Sequence, residues 1–592
     1  MLKRFFISML GTMAGLWISI FLLLMGGIVF AAIALGKSAG DSTVKVNKQS
    51  VLVLDLSGSI EERYQPSSFM AFLQEGENTA PTLEELLGAV RGAADDDKIE
   101  GMYIKCGGAA MGTASREELL EAIYEFKETG KWIYAYSDSY AQGDYLLACA
   151  ADSIMLNPMG SVDIHGVGGM TPFFTGLLDK LGVKVQIIKV GTYKSAVEPF
   201  ILKDMSVPAK QQMQQYIDTI WSFVAGSIAY NRDIPETDVK TWAADMIGQK
   251  PAQTFVDNGL VTSLVYERTV DDAIREQLGL DKDDNINYIS ASEYMESADI
   301  KKVLKGGKKH IAVLYAVGDI VDSGDTGIVG PDVVSEICDL ADNDDVKGLV
   351  LRVNSPGGSA FASEQIWESL EYFKSKGKPF YVSMGDYAAS GGYYISCGAD
   401  SIFADRTTLT GSIGVFGMIP DLSGLVTDKL GITFTTVESN PNAAGVSLVK
   451  AMTPEQHAAM QSGVDAIYER FTGRVAAGRH MDIDSVKRIA EGRVWVGGDA
   501  INLGLVDRIG SLHTAIYTMA YDLDLNIEDV VAYPQTEEEL WMKILRSSGD
   551  FSGMKVGDTM PYDAETARML RLVKVLRTMN PMQARMEAIE IR

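Results

Sequence analysis

The chain has 592 residues, of which 46% are hydrophobic and 22% charged, with a formal net charge of −26. It is too long for one hydrophobic core, so two or more domains are expected, and its ordinary composition excludes large-scale disorder. The acidic balance excludes a nucleic-acid footprint and a basic membrane-binding face.

The N-terminus opens with Lys3 and Arg4, then runs almost unbroken in apolar residues from Phe5 to Leu35. As a helix, Ala14–Leu35 would be about 33 Å long, enough for a hydrocarbon core of about 30 Å. The run exceeds the core of a cleaved signal peptide, which favours an uncleaved transmembrane anchor within residues 1–49. Lysines follow the span as well as precede it, so charge orients it only weakly.

From Ser50 the pattern becomes soluble α/β. Val51–Leu56, Gly101–Lys105 and Trp132–Tyr136 read as strands, and Leu83–Ala93 and Glu117–Lys127 as helices. Such alternation predicts βαβ units on a parallel sheet. A first domain over residues 50–300 is followed by a linker at Gly306-Gly307-Lys308. A second domain, over residues 301–592, restarts with the strand at Ile311. In it, Pro379–Met384 reads as a strand, Gly385-Asp386-Tyr387 as a turn, and Gly391 onward as a helix through Ala399. Ala564–Met579 reads as a basic amphipathic surface helix.

Five sequence blocks recur in the same order at a period of about 250 residues, the mark of an internal duplication. YAQGDYLLACAADSI (140–154), for example, resembles AASGGYYISCGADSI (388–402), and EFKETGKWIYAYS (125–137) resembles YFKSKGKPFYVS (372–383). The copies differ in residues with chemical potential. Ser390, between a strand end and a helix start, stands opposite Gln142. Lys194, in VGTYKSAVEPF, has no counterpart in VESNPNAAGV. One copy holds a serine and the other a lysine, which suggests a single site assembled from both.

A serine hydroxyl needs a base to become a nucleophile, and a lysine can serve only as the neutral amine, a form that desolvation favours. The tetrahedral oxyanion needs backbone N–H donors. Gly391 is placed to give one, and Gly357-Gly358 in VNSPGGSA to give another. Taken singly, a serine at a helix start is usually an N-cap, a lysine a solvated charge and a Pro-Gly-Gly a turn. Their combination, with complementary loss in the two copies, points to acyl transfer. Ser447–Lys450 fits an S-x-x-K pattern but lacks its companion motifs. The four cysteines form no metal or disulfide pattern and no metal-binding signature is present, so neither metal nor cofactor is expected.

GTYKSAVEPF (191–200), RVNSPGGSA (352–360), SMGDYAASGGYYIS (383–396) and LTGSIGVFG (409–417) together resemble the long, duplicated form of the signal peptide peptidase A (protease IV) family, across the whole chain after the anchor. The resemblance implies two tandem Clp-protease/crotonase-like domains behind one transmembrane helix, with Ser390 as nucleophile and Lys194 as general base. It also implies a homotetramer in the bacterial cytoplasmic membrane, its catalytic domains on the extracytoplasmic side, acting on hydrophobic signal-peptide remnants. Two alternatives remain at this point: a crotonase-type acyl-CoA enzyme, and a non-catalytic membrane scaffold.

Overall fold

The computed structural model of the chain describes residues 44–63, 80–297, 309–324, 326–533 and 582–586. The expected span at Phe5–Leu35, the Gly306-Gly307-Lys308 linker and the Ala564–Met579 stretch lie outside them. No helix among the described residues is long and apolar enough to cross a membrane. The elements below all belong to one compact unit, formed by Val46–Tyr64, Asn78–Pro534 and Ala564–Arg592.

The first copy contributes strands β1 (Ser50–Leu56), β2 (Ile99–Cys106), β3 (Trp132–Ser137), β4 (Ser153–Leu156), β5 (Lys184–Val190), β6 (Ser263–Leu264) and β7 (Asn287–Ser290). All but β5 form a parallel sheet in the order β6-β4-β3-β2-β1-β7. Helices α1 (Leu83–Asp95), α2 (Thr113–Glu128), α3 (Gln142–Ala148) and α4 (Val207–Arg232) accompany it. The start of α1 is written locally: Thr82 and Glu85 form a reciprocal capping box, satisfying two orphan N–H groups of the first turn.

The second copy contributes β8 (His310–Val317), β9 (Ile320–Val321), β10 (Ile328–Val329), β11 (Val346–Ser355), β12 (Gly357–Ser359), β13 (Phe380–Ala389), β14 (Ser401–Ala404), β15 (Leu409–Gly411), β16 (Val415–Asp421), β17 (Val494–Val496), β18 (Arg508–Ile509), β19 (Val530–Tyr533) and β20 (Met582–Arg585). Its main sheet runs β17-β15-β13-β11-β8-β19, with β14 branching from β13 and carrying β18. Helix α5 (Ala360–Ser375) buries Ile366, Leu370 and Phe373 in the same core as Leu349, Leu351 and Val382 of the central strands. This two-sided burial explains why those strands read as continuous apolar runs.

A further sheet, β10-β9-β12-β20-β16-β5, joins the copies. Strand β5 of the first pairs antiparallel with β16 of the second along its whole length, from Val190↔Val415 to Lys184↔Asp421.

The duplication repeats in hydrogen bonds as well as in letters. Asp152 accepts from Ile133 N–H at 2.9 Å, and Asp400 from Phe380 N–H at 2.9 Å. Lys127 donates to Ala150 O at 2.7 Å, and Lys374 to Gly398 O at 2.8 Å. The Tyr145 hydroxyl donates to Leu260 O and the Tyr393 hydroxyl to Leu505 O. Cys106, Cys149 and Cys397 are buried and Cys338 half-buried, all as free thiols.

Three expectations need correcting. Gly385-Asp386-Tyr387 is no turn, because β13 continues through it to Ala389. The pairing with β11 steps from Val353↔Met384 to Ser355↔Ala388, a bulge, and Asn354 Oδ1 accepts the Tyr387 N–H at 3.1 Å in place of a ladder bond. Such a bulge re-aims a side chain, here Asp386. Helix α2 starts at Thr113 rather than Glu117 for the same reason. Asp386 Oδ1 accepts the Ser115 N–H at 3.1 Å and Oδ2 the Ser115 hydroxyl at 2.7 Å. A carboxylate from the other copy thus serves the positive end of α2, and Gly112 leaves room for it, since a Cβ there would fall 2.0 Å from Asp386. The helix after Ser390 is also shorter than expected, α6 being Gly391–Ser396 by chain order after α5.

Candidate active site

Ser390 lies between β13 and α6, and its backbone is unusual: φ 56° and ψ −113°. A non-glycine residue there costs about 1–3 kcal/mol and persists only where its surroundings enforce it. The enforcement is visible: Ser390 N–H donates to Gly411 O and Ser390 O accepts from Tyr394 N–H, both at 2.8 Å. The side chain does not cap the helix, so the ordinary explanation of a serine at this position is absent.

The hydroxyl instead meets the first copy. Lys194 Nζ donates to Ser390 Oγ at 2.8 Å, and Ser390 Oγ lies 3.5 Å from Gly414 O. Both residues are buried, Lys194 being 1% exposed and Ser390 0%. Lys194 Nζ also donates to Ser412 Oγ at 3.0 Å and to Ser412 O at 3.2 Å. Ser412, with φ 50°, turns both oxygens towards the amine. Phe416 lies beneath, its ring centroid 6.0 Å from Nζ.

The loop carrying Lys194 is pinned to the second copy along its length. Glu491 Oε2 accepts the Thr192 N–H at 2.9 Å and hydroxyl at 2.8 Å, and Glu491 O accepts the Tyr193 N–H. Gln212 of α4 donates to Ser195 Oγ at 3.0 Å and accepts the Val494 N–H at 3.2 Å. Gly492, at φ 74°, must stay glycine, because a Cβ there would fall 2.7 Å from the Lys194 Cβ.

The corresponding place in the first copy is closed. Gln142 Nε2 donates to Gly166 O at 2.8 Å, and its Oε1 accepts the N–H groups of His165 and Gly166. In the second copy Ser390 faces Gly414 in the same relation, with the lysine added. Asn442, in the segment matching the lysine loop, is exposed.

Of the three glycines singled out from the sequence, Gly391 opens α6, directly after Ser390. Gly357 and Gly358 lie in β12, and the Gly357 N–H donates to Ser355 Oγ at 3.1 Å. Ser355 abuts the same helix start: a Cβ on Gly392 would lie 2.7 Å from Ser355 O. Sequence reasoning missed Ser412, Glu491, Gln212 and Gly492. Ser412 lies inside the quoted LTGSIGVFG block but carried no role there, and the other three lie outside all the quoted blocks.

A strand lies between β12 and β16. Strand β20 runs antiparallel to β12, with Gly358↔Ala584 and Gly357↔Arg585, and antiparallel to β16, with Phe416↔Gln583. The Met586 N–H donates to Pro356 O at 2.7 Å, Met586 is buried, and Arg585 pairs with Asp319 at 2.8 Å. The segment therefore runs along β12 towards Ser355 and the helix start that follows Ser390.

The model of peptidase family S49 matches residues 125–281 and 372–526, so Lys194 falls in one match and Ser390 and Ser412 in the other. The chain belongs to peptidase family S49. A Clp protease model matches residues 325–411, which assigns that region a Clp-like α/β fold. This S49 chain is similar to Protease 4 of Haemophilus influenzae, 36% identical over 505 residues that cover 83% of this chain and 82% of the relative. It is equally similar to Protease 4 of Salmonella typhi, 36% identical over 513 residues, covering 84% of this chain and 81% of the relative. A putative signal peptide peptidase SppA of Enterococcus faecium is 34% identical over 253 residues, covering 42% of this chain and 71% of the relative. As an S49 member the protein is a serine protease, and the acyl-CoA and scaffold alternatives fall away.

Proposed function

We propose that this serine protease is a membrane-anchored endopeptidase that uses Ser390 as nucleophile and Lys194 as general base. The observation that carries the reading is the 2.8 Å contact between Lys194 Nζ and Ser390 Oγ, both buried, with each group supplied by a different copy. Burial disfavours an ammonium and so favours the amine needed to accept a proton. Ser390 Oγ attacks the scissile carbonyl, and Lys194 takes the proton and passes it to the leaving amine. The N–H of Gly391 and the Gly357-Gly358 segment hold the oxyanion, and water then hydrolyses the acyl-enzyme. Ser412 orients the amine through its two contacts.

The substrate binds as an extended strand between β12 and β16, in the place β20 occupies; backbone pairing there gives affinity with little demand on side chains. Hydrophobic signal-peptide remnants suit that mode, and the Enterococcus faecium relative, a putative signal peptide peptidase, points the same way. The apolar run Phe5–Leu35 anchors the enzyme at the bacterial cytoplasmic membrane with its catalytic domains on the extracytoplasmic side, assembled as the homotetramer that the family resemblance implies.

A fluorophosphonate probe tests the assignment. Peptide mapping should find the label on Ser390, and Lys194→Ala should block labelling; label on another serine, or none, would refute the nucleophile. The strand mode has its own test. Deleting residues 582–592 should lower KM for a peptide substrate by about tenfold or more, because a tethered strand competes at an effective concentration in the millimolar range. An unchanged KM would count against this slot as the substrate site.

A further inference from the structure

Acidic side chains from both copies converge where helix α2 meets the segment after β14. Glu117, Glu118 and Glu121 come from α2, Glu62 from the segment after β1, and Asp405 from the second copy. The guanidinium of Arg352 is engaged by two of them, Glu62 at 3.0 Å and Glu118 at 2.7 Å. Glu117 accepts the N–H groups of Arg406 and Thr407 and the Thr407 hydroxyl. Asp405 differs from these. It is 1% exposed, and neither carboxylate oxygen has a hydrogen-bond partner among the described residues.

A buried carboxylate without hydrogen bonds is strongly disfavoured unless a cation or a proton meets it. Its surroundings offer more negative charge: carboxylate oxygens of Glu117, Glu121 and Asp405 all lie within 4.8 Å of one another. We propose that Glu117, Glu121 and Asp405 bind a hard divalent cation, calcium by preference, which fastens α2 of the first copy to the second. An all-oxygen set with neither nitrogen nor sulfur selects calcium or magnesium over zinc or copper. Calcium–oxygen distances of about 2.3–2.6 Å let oxygens on opposite sides of the ion stand nearly 5 Å apart, whereas magnesium demands tighter, near-octahedral spacing. Glu121 is half-buried, giving the ion a route from solvent and room for water to complete its coordination. The lone oxygens of Asp405 thereby gain the partner that the described residues do not provide.

The test uses the full-length chain stripped with a chelator and titrated with calcium chloride, then magnesium chloride, by isothermal calorimetry. Wild type should bind one calcium ion per chain, more tightly than magnesium, and its melting temperature should rise with calcium. Glu121→Gln should weaken binding about tenfold or more and blunt that rise, as ligand-shell losses do. Asp405→Asn should do the same, and Glu121→Gln, at a half-exposed position, keeps the test decisive if Asp405→Asn does not fold. Wild type that neither binds calcium nor gains stability up to millimolar concentrations would overturn the proposal, leaving protons to neutralise the cluster. So would a Glu121→Gln variant that binds as tightly as wild type.

Discussion

Lys194→Ala and Ser390→Ala should each lower peptidase kcat by on the order of 10⁴-fold or more, because nucleophile and base act as a unit and losing either removes most of the shared effect. The double variant should be little slower than either single one, since the second loss has nothing further to remove. The two should differ in stability. Ser390→Ala removes one hydroxyl from a position whose backbone is held by Gly411 and Tyr394. Lys194→Ala strips the donor from Ser390 Oγ, Ser412 Oγ and Ser412 O at once, and buried acceptors left without donors cost about 1–3 kcal/mol. Peptidase rates, calorimetric unfolding and sedimentation of the two variants check this together. Full activity in either would end the dyad assignment. In wild type, a general base that works as the neutral amine should make kcat/KM rise with pH; a flat profile with chemistry rate-limiting would contradict it.

Arg352→Met should destabilise the fold by about 3–5 kcal/mol, the usual cost of removing one partner from a buried ion pair. Arg352 is 0% exposed. Its guanidinium donates to Glu62 at 3.1 and 3.0 Å, to Glu118 at 2.7 and 3.2 Å, and to Ser383 Oγ and Met384 O. Its strand, β11, leads into the Pro356-Gly357-Gly358 segment, so the network that joins the copies also holds the strand that precedes those glycines. Burial raises the Glu62 carboxyl above its ordinary range, against the opposing pull of Arg352. A raised folded-state value means that protonation favours the folded state, so the stability linked to Glu62 is present at low pH and lost as pH rises. Removing Arg352 takes away the pull that lowers this carboxyl, so it rises further and more stability is lost with rising pH. The Arg352→Met deficit should therefore shrink towards acid and grow towards neutrality. Denaturant titrations at several pH values measure this. Adding Glu62→Gln and Glu118→Gln should recover part of the loss, since it is the stranded carboxylates that cost most.

How far the sequence reached can be judged residue by residue. The duplication was legible because the two copies keep the same local requirements. Asp152 and Asp400 each close a strand end, and Lys127 and Lys374 each cap the same carbonyl position. Strands and helices followed from apolar periodicity and from local signals such as the Thr82–Glu85 box. The pairing of Lys194 with Ser390 was legible through complementary loss, a comparison of each copy with the other that needs no coordinates. Gly385-Asp386-Tyr387 was misread because local propensity describes a turn, whereas Asn354 and the bulge hold the segment in a strand.

What the sequence alone determined is the α/β architecture in two copies and the two residues that divide one site between them, because periodicity, turn chemistry and self-similarity are local or compare like with like. Only the tertiary structure decided that the serine is strained and does not cap its helix, that Ser412 steers the lysine, and that Gly492 makes room for it. Only it showed that Asp386 serves a helix of the other copy and that the buried Asp405 carboxylate has no hydrogen-bond partner among the described residues. These contacts join residues tens to hundreds of positions apart, and no local pattern in a single chain records them.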